Sequence, residues 1–203
     1  FVEIEKTWGT IDFLVHSLAY SNKGELSGQY VDTTRHNFQK TLDISCFSFT
    51  ALAKRAAKIM PNGGSMVTLT YSGAERVMPN YNVMGVAKAA LEASVRYLAV
   101  DLGSYNIRVN AISAGPMRTL AGSAVGGARQ VYKWNEEYSR LRKNTQLDDV
   151  GGAGLYLLSN SKIVFRNPIG SLTFSLETFG KEGVSKFPRA FTCLLYTSPS
   201  PRD

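Results

Sequence analysis

The sequence predicts an α/β domain, a parallel sheet with helices on both faces. Three observations carry this. The short apolar runs "IDFLVHSLA" (11–19), "SMVTLTY" (65–71) and "IRVNAIS" (107–113) have the length of buried strands. Longer stretches with apolar residues at helical spacing separate them. Glycine, proline or a polar cluster marks each switch between the two. Strands that alternate with long helices pair in parallel, because a parallel connection needs a crossover segment.

Each element follows from its residues. Residues 20–33 are polar and contain glycine, hence loop. From Thr34 to Met60, Phe38, Leu42, Phe49, Leu52 and Ala56 predict a helix that "PNGG" (61–64) stops. After the loop "SGAERVMPN", helix resumes from about Tyr81 to Leu102, and Gly103 ends it. The third strand runs into the Gly- and Pro-containing loop "AGPMRTLAG". Residues 123–143 are polar and weakly helical, and 147–160 form a helix with aspartate at its start. Ligands of such sheets sit outside the carboxyl ends of the strands, here after Ser17, Tyr71 and Ser113.

Composition narrows the class. A chain of 203 residues, 44% apolar, supports one packed core. No apolar run reaches the ~18 residues of a membrane span, so membrane insertion is not expected. Cys46 and Cys193 form no disulfide or metal framework, which fits a cytoplasmic location, and His16 and His36 are too scattered for a metal site. The net charge of +7 comes without a block of five like charges, which argues against nucleic acid. Such a surface suits anionic ligands, pyrophosphates and acidic carrier proteins among them. The start "FVEIEKTWG", without an initiator Met, reads as a chain cut from something longer.

Tyr81 and Lys88 open the second long helix. Seven residues fall ~20° short of two helical turns, so both lie on one face, ~10.5 Å apart along the axis. Side chains lean toward the helix N-terminus, which tilts the lysine back toward the tyrosine. A fixed positive charge there favours the ionised phenol and makes it a usable proton donor near neutral pH. The spacing alone also fits a solvated lysine and a half-buried tyrosine on an amphipathic helix.

The surrounding residues decide between these readings. "LTYSGAERVMPNYNVMGVAKAALEASVRYLAVDLG" followed by "IRVNAISAGPMRTLA" resembles the bacterial NADH-dependent enoyl-acyl-carrier-protein reductases, a divergent branch of the short-chain dehydrogenase/reductase superfamily. The similarity runs from Gly9 to Asn160. Ordinary superfamily members use Tyr-x3-Lys with a serine thirteen residues before the tyrosine; those two slots here hold Met84 and Tyr71. The enoyl reductases fill the serine slot with tyrosine and move the catalytic tyrosine three residues upstream, as in this chain.

The resemblance implies a Rossmann-like fold and reduction of trans-2-enoyl thioesters on acyl carrier protein, with NADH as cofactor and a homotetramer as the complete protein. It implies a catalytic set of Tyr71, Tyr81 and Lys88. Tyr81 would hydrogen-bond the thioester oxygen as charge develops. Lys88 would hold the nicotinamide ribose, and Tyr71 would lie beside the acyl chain. Ser17 and Leu18 would border the cofactor, with Met117, Arg118, Thr119, Leu120 and Ala121 wrapping nicotinamide and pyrophosphate. Ser21, Tyr71, Tyr81 and Met84 would contact substrate. Arg118 is equally read as a solvated side chain, and Met84 as plain core packing.

The sequence departs from the pattern in three places. Gly126, Gly127 and Ala128 stand where the family carries larger residues, which bears on acyl packing and on the entropy of ordering the lid. The glycine-rich turn that cradles pyrophosphate is absent, so residues 1–160 are expected to be a partial domain. After Asn160 the chain has no family counterpart. "CLLYTSPSPRD" (193–203) back-translates to a DNA-library adapter, so 161–203 is expected to be a frame-shifted or chimeric tail. The other readings are an inactive relative that keeps the fold and a carbonyl reductase of the same superfamily.

Overall fold

The computed structural model describes residues 1–119, 126–139, 141–159 and 173–175. The elements are α1 (Val2–Trp8), β1 (Phe13–His16), α2 (Arg35–Leu42), α3 (Ser48–Ala56), β2 (Gly64–Thr70), α4 (Asn82–Gly103), β3 (Ile107–Ser113), α5 (Ala128–Tyr138), α6 (Leu147–Leu158) and β4 (Thr173–Ser175). The strands form one parallel sheet in the order β1-β2-β3-β4, with Val15 opposite Val67, and Val67 opposite Asn110. The three expected strands and the long helices are present. Helix α1 was not expected. The tail expected over 161–203 lies outside the described residues, apart from the backbone of β4, which pairs Thr173 with Ala111.

Alternation along β2 sorts the two cores. Met66 faces α3 and α4, where Phe49, Ala53, Leu91, Val95, Val109 and Ala111 close a continuous apolar cluster. Val67 and Leu69 face the other way, against Ile112, Ala114 and Leu157 of α6. Helix α6 opens with a reciprocal capping box between Gln146 and Asp149. Its last carbonyls are held from the sheet: Arg108 donates to Leu157 O (2.9 Å) and Ser159 O (2.8 Å), and Ser65 Oγ donates to Leu157 O (2.8 Å). These contacts satisfy groups that a helix end leaves without partners. On the α6 side of β1, Phe13 and Val15 remain half exposed.

The helix expected over 34–60 differs in what it buries. Its buried stripe is Asn37, Thr41, Ser45, Phe49 and Ala53, with Phe38, Leu42 and Leu52 only half buried. Steps of four overshoot a helical turn by ~40° each, so the stripe would drift off the core. A π-helical turn over Asp43–Phe47 takes up the excess and keeps Phe49 and Ala53 facing the sheet. The polar half of the stripe serves the loop after β1. Ser45 Oγ exchanges hydrogen bonds with Tyr20 N (2.9 Å) and Tyr20 O (3.1 Å), and Asn37 Oδ1 accepts from Asn22 N (2.9 Å).

His16 closes β1 in the same manner. Its ring is buried against Phe49, with Nδ1 2.8 Å from Thr68 Oγ1 and Nε2 2.8 Å from Ser48 Oγ. Ser48 donates its one proton to Ile44 O (2.6 Å), so Nε2–H donates to Ser48 and Nδ1 accepts from Thr68. That assignment needs a neutral imidazole. Burial, helped by the nearby Lys88 charge, lowers the His16 pKa from 6.5 to about 4. The folded state therefore binds fewer protons than the unfolded state between those values, and stability falls as pH falls through that window. The expected loss from pH 7 to pH 5 is about 2 kcal/mol, read by denaturant unfolding. A His16→Gln variant is expected to flatten the dependence, and an equally steep loss in that variant would remove His16 as its source.

Candidate active site

The site lies where the strands predict it, at the carboxyl ends of β1, β2 and β3. Tyr81 is the N-cap residue of α4, in non-helical backbone (φ −121°, ψ −25°), so α4 begins one residue later than expected. Its neighbours pin it. Asn80, in the left-handed region at φ 58°, donates from Nδ2 to Gly126 O (2.8 Å). Asn82 donates from Nδ2 to Glu25 O (3.2 Å) and Gly28 O (3.3 Å). The tyrosine is thus tied on one side to the start of α5 and on the other to the loop after β1.

The Tyr81 ring is 3% exposed and meets the Tyr71 ring edge-on, 5.2 Å between centroids. Two glycines make room for it. A Cβ on Gly73 would stand 2.5 Å from Tyr81 Cδ1, and a Cβ on Gly85 would stand 2.7 Å from Gly73 O. The loop after β2 therefore packs flat between the tyrosine and the first turn of α4. Gly73→Ala is expected to displace the Tyr81 ring and lower the turnover of the complete enzyme by about 10- to 100-fold. Its stability loss is expected to be about 1–3 kcal/mol. Wild-type turnover in that variant would show that the ring position is not set by this contact.

Lys88, two turns along α4, is fully buried, and its Nζ donates to Leu69 O (2.8 Å) at the end of β2. Burial lowers its pKa from 10.5 to about 7, against smaller opposing pulls from Cys46 and Glu92. Glu92, one turn further, is also buried and accepts from Thr70 Oγ1 (2.7 Å), and burial pushes its carboxyl above the usual range. Tyr71 is held above the ordinary phenol value, chiefly by burial, so it stays protonated at neutral pH. The chemistry at this end of the sheet is two phenols over a buried amine.

An apolar cleft, open at its mouth, runs past both phenols. Tyr71 and Tyr81 form one wall, Gly115, Pro116, Met117 and Thr119 the second, and Ala128, Val131 and Tyr132 of α5 the third. Ser17 and Leu18 follow β1 directly, Ser17 half buried and Leu18 46% exposed. Met117 is buried, while the Arg118 side chain is 79% exposed and stands 4.0 Å from Glu136. Leu120 and Ala121 lie outside the described residues. Met84 is buried behind Tyr81 with Ala19 and Leu26 rather than on the cleft wall. Ser21 turns toward α2, where it accepts from Thr41 Oγ1 (3.0 Å) and meets Asn37.

Four cleft-lining residues were not named individually from the sequence: Met78, Pro79, Val131 and Tyr132. The signal for the last two was the spacing of Ala128, Val131 and Tyr132, which puts all three on one face of a helix. Among the described residues, no group of three or more His, Cys, Asp or Glu is placed to hold a metal, and no helix is long and apolar enough to cross a membrane.

A parallel α/β sheet with a tyrosine and a buried lysine at its carboxyl edge defines a Rossmann-like domain of the reductase type. Comparison with known proteins makes this specific. The chain belongs to the enoyl-(acyl carrier protein) reductase family, whose model matches residues 1–164. It is 54% identical over 184 residues to enoyl-(acyl-carrier-protein) reductase (NADH) 1 of Rhizobium meliloti (strain 1021), covering 91% of this chain and 68% of that protein. Its identity to enoyl-(acyl-carrier-protein) reductase (NADH) 2 of the same organism is 62%, over 77% of this chain and 59% of that protein. Among solved structures, the enoyl-(acyl-carrier-protein) reductase of Anaplasma phagocytophilum in complex with NAD is 57% identical. It superposes with a TM-score of 0.74 over 78% of this chain and 58% of that one. The chain thus spans about three fifths to two thirds of the length of these relatives.

Proposed function

We propose that the complete protein reduces trans-2-enoyl thioesters on acyl carrier protein, using NADH. The observation that carries this is the placement of Tyr71, Tyr81 and Lys88. Tyrosine stands in both deciding slots, the two rings meet edge-on, and Lys88 is buried at the end of β2. The names of the relatives, NADH reductases of enoyl-acyl-carrier-protein, support the reading.

The residues present fit a nicotinamide dinucleotide. Lys88 supplies a buried donor for ribose hydroxyls. Gly115, Pro116, Met117 and Thr119 line the cleft and would take the nicotinamide ring, with the Thr119 hydroxyl available to a phosphate. Ser17, Leu18 and Arg118 are proposed as further cofactor contacts, as are Leu120 and Ala121, which lie outside the described residues. The reduced nicotinamide supplies the hydride for the β-carbon. The chain's own residues do the rest. Tyr81 donates to the thioester oxygen as negative charge gathers there. Tyr71, protonated and adjacent, flanks the acyl chain and orders the Tyr81 ring. Lys88 holds the cofactor and, when charged, favours charge on the phenol. Met84 acts by backing Tyr81, and Ser21 by shaping the loop at the cleft's edge.

We further propose a cytoplasmic homotetramer. The exposure of Phe47 before α3, and of Tyr97 (76%) and Val100 (62%) on α4, supports burial of these helices against other copies. The test of function is an assay of the complete enzyme with NADH and a trans-2-enoyl thioester. Consumption of NADH with the enoyl substrate, and none with a 3-oxoacyl thioester, is the expected result. The reverse preference would make the protein a carbonyl reductase.

A further inference from the structure

We propose that Tyr132 is a positioning residue for the acyl substrate, latching helix α5 over the cleft through the Met117 carbonyl. The proposal rests on the enoyl-reductase reading for its substrate, but its geometry stands alone. Tyr132 Oη donates to Met117 O at 3.0 Å, joining the middle of α5 to the loop that follows β3. One turn further along α5, Glu136 stands 4.0 Å from Arg118. Residues four apart lie on the same helix face, so α5 grips two consecutive loop residues from one side.

The other ties of α5 lie at its ends. Its start is held by Asn80, through Gly126 O (2.8 Å), which places the helix relative to Tyr81. Its far half is held by Asn144, which donates from Nδ2 to Tyr132 O (3.3 Å) and Glu136 Oε1 (2.7 Å). The Tyr132 hydroxyl joins two residues that both line the cleft, Tyr132 and Met117. Of the α5 residues that line the cleft, Ala128, Val131 and Tyr132, the tyrosine is the largest and the only one with a polar side-chain atom. Tyr132 also lies near enough to Tyr71 for a charge on it to disfavour ionisation of Tyr71. Tyr71 and Tyr132 both line the cleft, so an acyl chain beside Tyr71 would pass the helix that the latch holds in place.

The test uses the full-length enzyme that contains this chain and two variants. Tyr132→Phe keeps the ring and removes the hydroxyl. It is expected to raise KM for a trans-2-enoyl thioester about three- to tenfold. Turnover at saturation, NADH affinity and melting temperature are expected to stay near wild type. Tyr132→Leu also removes the ring and is expected to shift kcat/KM toward longer acyl chains. An unchanged KM in Tyr132→Phe overturns the latch. A joint fall of turnover, NADH affinity and melting temperature overturns it too, because a merely structural bond would do that. A change confined to NADH affinity would place the bond in the cofactor site and likewise overturn the proposal. Amide exchange keeps the latch testable apart from the reaction. The amides of Ala128–Tyr138 are expected to exchange about three- to tenfold faster in Tyr132→Phe. If exchange rises as expected and no enoyl thioester is reduced by wild type, the functional reading fails and the latch stands. Unchanged exchange sinks the latch alone.

Discussion

Tyr81→Phe in the complete enzyme is expected to lower turnover of an enoyl thioester by about 10²–10³, the usual effect of removing one donor to a developing oxyanion. Two structural facts make this a clean experiment. The hydroxyl is the only atom removed, and the ring contacts with Tyr71 and the Gly73 backbone are unaffected by its loss. The Asn80 and Asn82 ties that fix the residue run through its neighbours and also remain. kcat and kcat/KM are therefore expected to fall together, as they do when an interaction made only in the transition state is lost. NADH affinity is expected to stay within about twofold, since the phenol is assigned to substrate charge rather than to the cofactor. A fall of less than about threefold in kcat would take the proton-donor role away from Tyr81. Tyr71, held in the protonated form by burial, would then be the phenol to test next.

Lys88→Met is expected to weaken NADH binding by about 10- to 100-fold, the range for loss of a charge-assisted hydrogen bond. Methionine keeps the length and apolar body of the side chain, so the fully buried position stays filled. Stability is expected to hold or rise, because burying an amine costs solvation that methionine does not lose. The lowered pKa of Lys88, about 7, gives the second readout. At pH 8 the amine of the free protein is mostly neutral, and a bound anionic dinucleotide favours its charged form. Binding is then expected to take up roughly half to one proton, measured calorimetrically in buffers of different ionisation enthalpy. The same pKa fixes the sign of the stability effect. The folded state holds fewer protons than the unfolded state between about 7 and 10.5, so stability rises with pH across that interval. Equal NADH affinity in wild type and Lys88→Met would remove Lys88 from the cofactor site, whereas no proton uptake by wild type would show that the amine is already charged in the free protein.

Much of this was legible in the chain. Apolar runs of strand length and helical spacings of strand-separating segments determined the α/β class, since both are properties of neighbours in sequence. Tyr71, Tyr81 and Lys88 were singled out by resemblance, from slots counted along one loop and one helix, and their roles stand as proposals. The family similarity rested on those residues, and the match over residues 1–164 bears it out. Short-range order was less secure at its edges. Tyr81 caps α4 instead of opening it, and α1 carries no periodic pattern longer than two turns.

What needed the tertiary structure were the contacts between segments far apart in sequence. Apolar spacing favoured Phe38 and Leu42, but the loop after β1 demands hydrogen-bond partners, so Asn37, Thr41 and Ser45 are buried instead. A π-helical turn then absorbs the mismatch between steps of four and the helical period. Spacing alone favoured a solvated Lys88; the fold buries it, with Nζ donating to Leu69 O. Met84 was placed at a pocket wall by resemblance and equally as core packing; the fold buries it in one cluster with Tyr81, Ala19 and Leu26. Tyr132 lies in a segment read as polar and weakly helical; only the fold sets its hydroxyl on the Met117 carbonyl. Spacing along the chain determines which residues share a face, and the packing of one face on another decides which of them meet.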